Sequence, residues 1–548
     1  MSVRIRVALI LLASVTVILI GQIDRELLQP DDLREVEIAR EMFVGGDHIV
    51  PRLAGLPFVE KPSGFPAAVA TAYRIAGGPS AAAARFTAAA FALASLAAVF
   101  LLGSRILGIE GGALAVALLA FSQRFCRTAH DVLLDNALTA AVAFTVFFIW
   151  IALEAETPRR KHLAYAAAGF SLGVSFLFKG WVGPVIFGSG FFLYLIVSRR
   201  LSELRHILRP FPVIAFLVPV LSWVVPFLLQ APSTLVREFF IANHFGRFIG
   251  GYYSPSRPIY FYLITLWPEF LPGSIFLPLA IWMAWKTRKE WENRAGIFFL
   301  ALFVGPLIVL STSVSKHWVY FLPVYPALTM LVAWSIMKGW TSPGRSVMIF
   351  TRIIATTAIL TAGGMVGITG IRGGPALSVA IASAVFVFAV VGCVLSIRRN
   401  DHRWTVAWLA ILFVLGWSLW FTGPMAEADV ARRSIHRPIA EALSRVDNRD
   451  ILLYHPTDGI RGAASFYRNR TAQEVTSPAA LVAQLTEGRN EVVALVYWTD
   501  KATLPSELEE AEQAAGADLQ IEAHFDLGKR CLLLVSARPA PDYLTFFR

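Results

Sequence analysis

The sequence predicts a polytopic α-helical membrane protein that ends in a small α/β domain. Three observations carry this prediction. The 548 residues are 56% hydrophobic and only 16% charged, against about 25% charged in soluble globular proteins. Apolar runs at 7–20, 81–102 and 376–395 reach or approach the roughly 20 helical residues that cross a hydrocarbon core. Beyond about residue 423 the long runs stop, and short amphipathic and β-branched segments replace them.

Arg4 and Arg6 precede the first apolar run, as in a signal peptide, but no small-residue cleavage site follows. The run is therefore read as an uncleaved first helix. Splitting the chain at charged or Pro/Gly-rich breaks gives about thirteen spans. They lie near 5–22, 81–103, 111–122, 135–153, 163–178, 182–198, 210–230, 258–285, 295–312, 318–337, 350–371, 376–396 and 404–422. With the N-terminus cytoplasmic, the dense basic clusters all fall in cytoplasmic loops: Arg105, Arg159-Arg160-Lys161, Arg199-Arg200, Lys286 with Arg288-Lys289, Lys338 with Arg345, and Arg398-Arg399. Mixed charge and aromatics occupy the opposite loops, and an odd span count puts the tail on that external side. The expected organisation is a membrane domain over 1–422 and a soluble domain over 423–548.

Within the tail, 434–446 and 479–487 read as helices, and 451–454, 491–497 and 531–536 as strands. The first external loop, about 23–80, holds a helical stretch at 33–43 and is read as short helices on the membrane surface.

Net charge of +11 is explained by basic loops that orient helices, not by nucleic-acid binding. Cys126, Cys393 and Cys531 are widely spaced and form neither a metal motif nor a disulfide framework. No P-loop, dinucleotide fingerprint, H-E-x-x-H or nucleophile elbow is present.

The candidate chemistry lies in the external loops, where ionisable groups beside lipid need water or a partner. Asp31-Asp32 fits a helix N-cap or a carboxylate base at a cavity mouth, and spacing leaves both open. In Glu60-Lys61-Pro62, the proline holds Lys61 extended, and its compact ammonium suits a phosphate. Arg247 and Lys316 lie among aromatics and read either as interfacial anchors or, with Lys61 and Lys179, as cations for a lipid-linked phosphate. Asp131 and Asp135 are four residues apart, which predicts one helical face, with Asp135 the deeper.

The run Asp31-Asp32-Leu33-Arg34 through Glu41-Met42, then Gly46-Asp47 and Glu60-Lys61-Pro62, resembles the opening of bacterial glycosyltransferases of the GT-C superfamily. The pattern is similar to that of lipid A aminoarabinose transferases and protein O-mannosyltransferases. Ala84-Arg85, Leu134-Asp135, Lys179-Gly180, Arg247-Phe248, and Lys316 with Tyr320, Pro323 and Tyr325-Pro326 follow in order, so the resemblance covers about 1–420. Glu35, Phe58 and Ser63-Gly64-Phe65-Pro66 depart from the pattern; they touch the donor and acceptor walls and leave the reaction class intact.

The resemblance implies an inner-membrane enzyme with its active site and tail in the periplasm. It would transfer a sugar, with inversion, from an undecaprenyl-phosphate donor to lipid A or another envelope glycolipid. A protein acceptor is the alternative within the class. Asp31 maps onto the catalytic carboxylate and Asp135 onto a second one that orients it. Lys61, Arg247, Lys316 and Tyr320 would hold the lipid phosphate, and Asp32, Arg34, Glu60 and Lys179 would support them. Glu60 is read as a ligand of a divalent cation or as the partner of Lys61; the lipid-linked sugar is the only co-substrate implied. A transporter fits less well, because transporters place ionisable groups near the midplane and here they gather at one surface. A non-catalytic assembly subunit is the remaining rival.

Overall fold

The computed structural model describes residues 2–538 apart from 24, 29, 247–255, 291–293, 342–344, 372–375, 400–407, 409–410, 413–414, 418, 420–435, 447, 489–490, 501–502 and 528–529. Among the described residues, six helices are long and apolar enough to cross a membrane: Ala81–Ala120, Leu134–Glu154, Pro210–Gln230, Arg294–Thr312, Trp318–Gly339 and Val379–Arg398. A seventh is counted if Phe261–Glu269 and Gly273–Lys286, bent by 117° at their junction, form one span. The protein is thus multi-pass. Most of the expected last span, 404–422, lies outside the described residues.

The sequence reading of the spans holds at one long helix and fails at one other span. The Ala81–Ala120 helix breaks at Gly108, whose φ of +75° is left-handed, a conformation that glycine adopts without a Cβ clash. The sequence had placed two spans there. The single span expected over 258–285 is instead two helices. Pro268 and Pro272-Gly273 remove backbone donors and interrupt the ladder, and Glu269 between them pairs with Arg124.

Contacts divide the chain into two compact units. The first comprises Met1–Arg25, Val59–Phe65 and Arg85–Asp429. Its centre is the antiparallel pair Leu134–Glu154 and Pro158–Lys179, packed along their length. Small residues allow closer approach elsewhere: a Cβ on Gly173 would meet the Phe216 carbonyl oxygen at 2.3 Å.

The second unit comprises Glu26–Phe58, Pro66–Ala84 and Val430–Arg548. It contains more than the tail, so the composition change near 423 marks where the chain leaves the apolar spans, not where compactness changes. A hairpin of β1 (Arg52–Leu53) and β2 (Leu56–Pro57) belongs to it. So do β3 (Asp450–Tyr454), β4 (Gln473–Glu474), β5 (Val492–Trp498), β6 (Leu519–Asp526) and β7 (Cys531–Ala537), in the order β4-β3-β5-β7-β6. Strand β3 is parallel to β4 and β5, whereas β7 is antiparallel to β5 and β6. Helices Pro478–Glu487 and Ser506–Ala515 cover a core that includes Leu452, Leu485, Val496 and Leu533. The sequence reading found β3, β5 and β7. It missed β6, whose Leu-Gln-Ile-Glu-Ala-His-Phe-Asp is only partly buried, and the helix Asp458–Arg468.

Helix Asp31–Gly45 corrects a second expectation. A helix on a membrane surface buries one face, but Asp32 through Arg40 are buried in succession here. It packs on helix Asp458–Arg468, where a Cβ on Gly462 would lie 2.2 Å from the Leu33 carbonyl oxygen. Buried Glu37 and Arg40 form a two-bond ion pair at 2.7 Å, and Arg40 also donates to Thr471 at 3.3 Å. Burial pushes the Glu37 carboxyl up to about 8, against the pull of Arg40.

Gly462→Ala should therefore lower the melting temperature of the second unit, by about 1–3 kcal/mol of overpacking. Gly364→Ala, where a Cβ meets nothing within 4 Å, should be neutral or slightly stabilising. Thermal unfolding of the detergent-solubilised protein followed by intrinsic fluorescence compares the two.

Candidate active site

Helices Leu134–Glu154 and Pro158–Lys179 are 21 and 22 residues long and are joined by 155–157 alone. At about 1.5 Å per residue both run a little over 30 Å, so the start of one must return beside the end of the other. Asp135 in the first turn and Lys179 in the last are brought together in this way, with Lys179 Nζ 2.5 Å from Asp135 Oδ1. Each charge also answers the dipole of its own helix end. The side chains are only 5% and 9% exposed, and the Lys179 ammonium lies over the Tyr320 ring at 4.5 Å from its centroid, a cation–π arrangement. The opposite end of the same helix pair carries Glu154 with Arg105 and Arg294, and Lys161 with Glu203. Acid–base pairs thus occupy both ends of the pair.

The stretch with Glu60 and Lys61 docks beside the Lys179 end. Gly64 approaches Leu177 so closely that a Cβ would meet its carbonyl oxygen at 2.5 Å. Phe65, Phe91 and Phe178 form a ring chain at 6.4 and 5.3 Å. Asn243 Nδ2 donates to the Val59 carbonyl at 3.3 Å, so the segment leading toward Arg247 touches the one leading to Lys61. Arg247 itself lies outside the described residues. Glu60 and Lys61 are half-buried.

Lys316 is 3% exposed. It donates to the carbonyl oxygens of Arg257, at 3.0 Å, and of Ser313, and burial lowers its pKa from the ordinary ammonium value. The structure puts Tyr320 against Lys179, whereas the sequence had grouped it with Lys316.

Asp131 and Asp135 do not share a helix, because the helix begins at Leu134. Asp131 faces Arg25 at 3.5 Å instead. His130, the residue before Asp131, presents Nδ1 to the Cys126 carbonyl at 2.8 Å and Nε2 to the Ile20 carbonyl at 3.0 Å. Burial, reinforced by Arg25, depresses the imidazole to about 4, although both carbonyls favour its cation. Arg124 clamps Glu269 through Nε and Nη2 and lies over Trp318 at 5.3 Å. Glu269 escaped the sequence reading; the signal was an acid between two prolines inside an apolar run.

In the second unit Asp31 is the first residue of its helix rather than the cap. Pro30 occupies the cap position without a side-chain bond. Asp31 pairs with Arg34 at 2.7 Å and keeps 38% of its side chain exposed. Asp32 is 2% exposed and accepts from the Leu28 N–H at 3.0 Å. Arg34 also donates to Glu35 at 3.2 Å and lies over Phe58 at 5.6 Å. Among the described residues no three His, Cys, Asp or Glu side chains form a metal-ligand group.

These features define a multi-pass membrane protein with ion-paired acids at helix ends, and its fold matches that of a solved structure. The crystal structure of ArnT from Cupriavidus metallidurans bound to undecaprenyl phosphate superposes with a TM-score of 0.72 at 20% identity, over 97% of this chain and 98% of that one. By sequence the chain is similar to undecaprenyl phosphate-alpha-4-amino-4-deoxy-L-arabinose arabinosyl transferases. It is 29% identical to one from Pseudomonas fluorescens over 58% of this chain and 54% of the relative. It is 28% identical to one from Edwardsiella ictaluri over 72% and 73%, and 30% to one from Pseudomonas aeruginosa over 62% and 61%. The match thus spans little more than half the length of the first of these relatives. Residues 60–228 match the family described as dolichyl-phosphate-mannose-protein mannosyltransferase.

Two outcomes are expected. Asp135→Asn and Lys179→Gln should each destabilise the first unit by about 3–5 kcal/mol, because each strands a buried partner. The double variant should lose less than the sum, as a double-mutant cycle by chemical denaturation would reveal. Separately, the unfolded chain protonates His130 near pH 6.5 but the folded chain only near 4. The folded state should therefore lose about 3 kcal/mol as pH falls through that window. His130→Gln should remove that slope from a plot of melting temperature against pH.

Proposed function

We propose that the protein is an inverting glycosyltransferase. It takes a sugar from an undecaprenyl-phosphate donor and delivers it to lipid A or another envelope glycolipid at the periplasmic face of the inner membrane. The observation that carries the reading is the buried Asp135–Lys179–Tyr320 set at one end of the helix pair, with the Lys61 segment docked on the same helix end. The names of the curated relatives supply the donor class.

The chemistry follows from the residue types. The acceptor hydroxyl attacks the anomeric carbon while the bond from that carbon to the phosphate oxygen breaks, which inverts the centre. Asp31 receives the hydroxyl proton, as a carboxylate general base. Negative charge grows on the departing lipid phosphate, and fixed cations placed for it lower the barrier. Lys61, Arg247 and Lys316 take that role, with Tyr320 as a hydroxyl donor. Asp135 serves as the second carboxylate of the site, paired with Lys179, while Asp32 and Arg34 set the first turn that presents Asp31. Glu60 serves Lys61 or a divalent cation. The membrane domain over 1–422 has about thirteen spans with a cytoplasmic N-terminus, and the domain over 423–548 is periplasmic. The match of residues 60–228 to a protein mannosyltransferase family favours one alternative, a protein acceptor.

Asp31→Asn should abolish transfer at unchanged expression and melting temperature, measured by mass spectrometry of envelope lipids from complemented cells. Lys61→Ala should lose the rise in melting temperature that undecaprenyl phosphate produces in the wild type. Transfer by the first variant, or an unaltered shift in the second, would remove the assigned role.

A further inference from the structure

A cleft of about 500 Å³ opens in the second unit. It lies at the N-terminal ends of β3 and β5, beside β4, where helices Asp458–Arg468 and Pro478–Glu487 both end. Its size is that of a small-molecule site, but such sites are mainly apolar. Here Asp450, Arg468, Arg470, Gln473, Gln484 and Glu487 supply most of the polar rim.

The charges decide what the cleft can take. The lining holds two guanidinium groups and two carboxylates, so their formal charges cancel. Arg470 is paired with Asp450 at 3.1 Å, and Arg468 donates to the Arg449 carbonyl at 2.9 Å. The ends of two helices add negative partial charge. A phosphate gains little from such a balance, and a lipid chain would desolvate the polar rim without replacing its hydrogen bonds. What remains are planar groups, carboxylate, guanidinium and carboxamide, that offer donors and acceptors in pairs. Vicinal sugar hydroxyls, each both donor and acceptor, complement such pairs.

The geometry points to a saccharide-binding cleft that receives the carbohydrate headgroup of the acceptor. The assignment to the acceptor rests on the glycosyltransferase reading above. The choice of a saccharide rests on the cleft alone.

The test uses the full-length protein in detergent and the variant Gln473→Ala/Gln484→Ala, which keeps every charge and the β4 backbone pairing. An unchanged melting temperature checks its fold. Water-soluble saccharide from deacylated lipopolysaccharide is titrated by calorimetry, with maltotriose as the comparison sugar. The expected result is binding to the wild type that weakens at least tenfold in the variant, with maltotriose binding at least tenfold more weakly than the deacylated saccharide. In a transfer assay the variant should show a raised KM for glycolipid acceptor at near-normal kcat and donor KM. No binding to the wild type, or equal binding to both proteins, overturns the cleft. Equal binding of maltotriose overturns its assignment to the acceptor. Saccharide binding without any transfer upholds the cleft and defeats the glycosyltransferase reading, whereas transfer by the variant at wild-type KM defeats the acceptor assignment and leaves that reading standing.

Discussion

A carboxylate beside lipid must have a cation, and the first unit is arranged around that requirement. Asp135 and Lys179 are nearly sealed from solvent, where a lone charge costs several kcal/mol. Their pairing becomes possible because the short link 155–157 makes two helices of almost equal length antiparallel. Once the helices return on themselves, the first turn of one and the last turn of the other meet at the same level. Tyr320, Phe178 and the Gly64–Leu177 contact then assemble on that end. The same logic places Arg25 by Asp131 and Arg124 by Glu269.

The second unit solves a different problem. Helix Asp31–Gly45 carries seven acidic or basic residues in its first eleven positions, yet most of it is buried. It tolerates this through internal pairs: Asp31 and Glu35 with Arg34, and Glu37 with Arg40. Pairing within the helix leaves its backbone free to pack against helix Asp458–Arg468 at Gly462. At the helix start a partly exposed carboxylate, Asp31, stands next to a buried one, Asp32.

Legibility in the sequence followed the physics of each signal. Apolar length announced the long spans, and the tail's β-branched runs announced β3, β5 and β7. The broken span at Pro268–Gly273 was hidden because averaging hydropathy over a window dilutes one glutamate. Strand β6 was hidden because one exposed face leaves polar residues through the run. The cap reading of Asp31, one of two that spacing left open, and the shared face of Asp131 and Asp135 both failed by small shifts of a helix start, to Asp31 and Leu134.

Linear order alone determined that this chain enters lipid many times, that acids and cations gather between spans, and that a mixed α/β segment follows. Hydropathy, charge and strand propensity are properties of neighbouring residues, so they can be read in order. Tertiary structure decided the partners: Lys179 for Asp135, Tyr320 for Lys179, Glu269 for Arg124, and Gly462 for the Leu33 backbone. Each pair joins residues at least 44 positions apart. Such contacts depend on where whole helices lie, which no local pattern encodes.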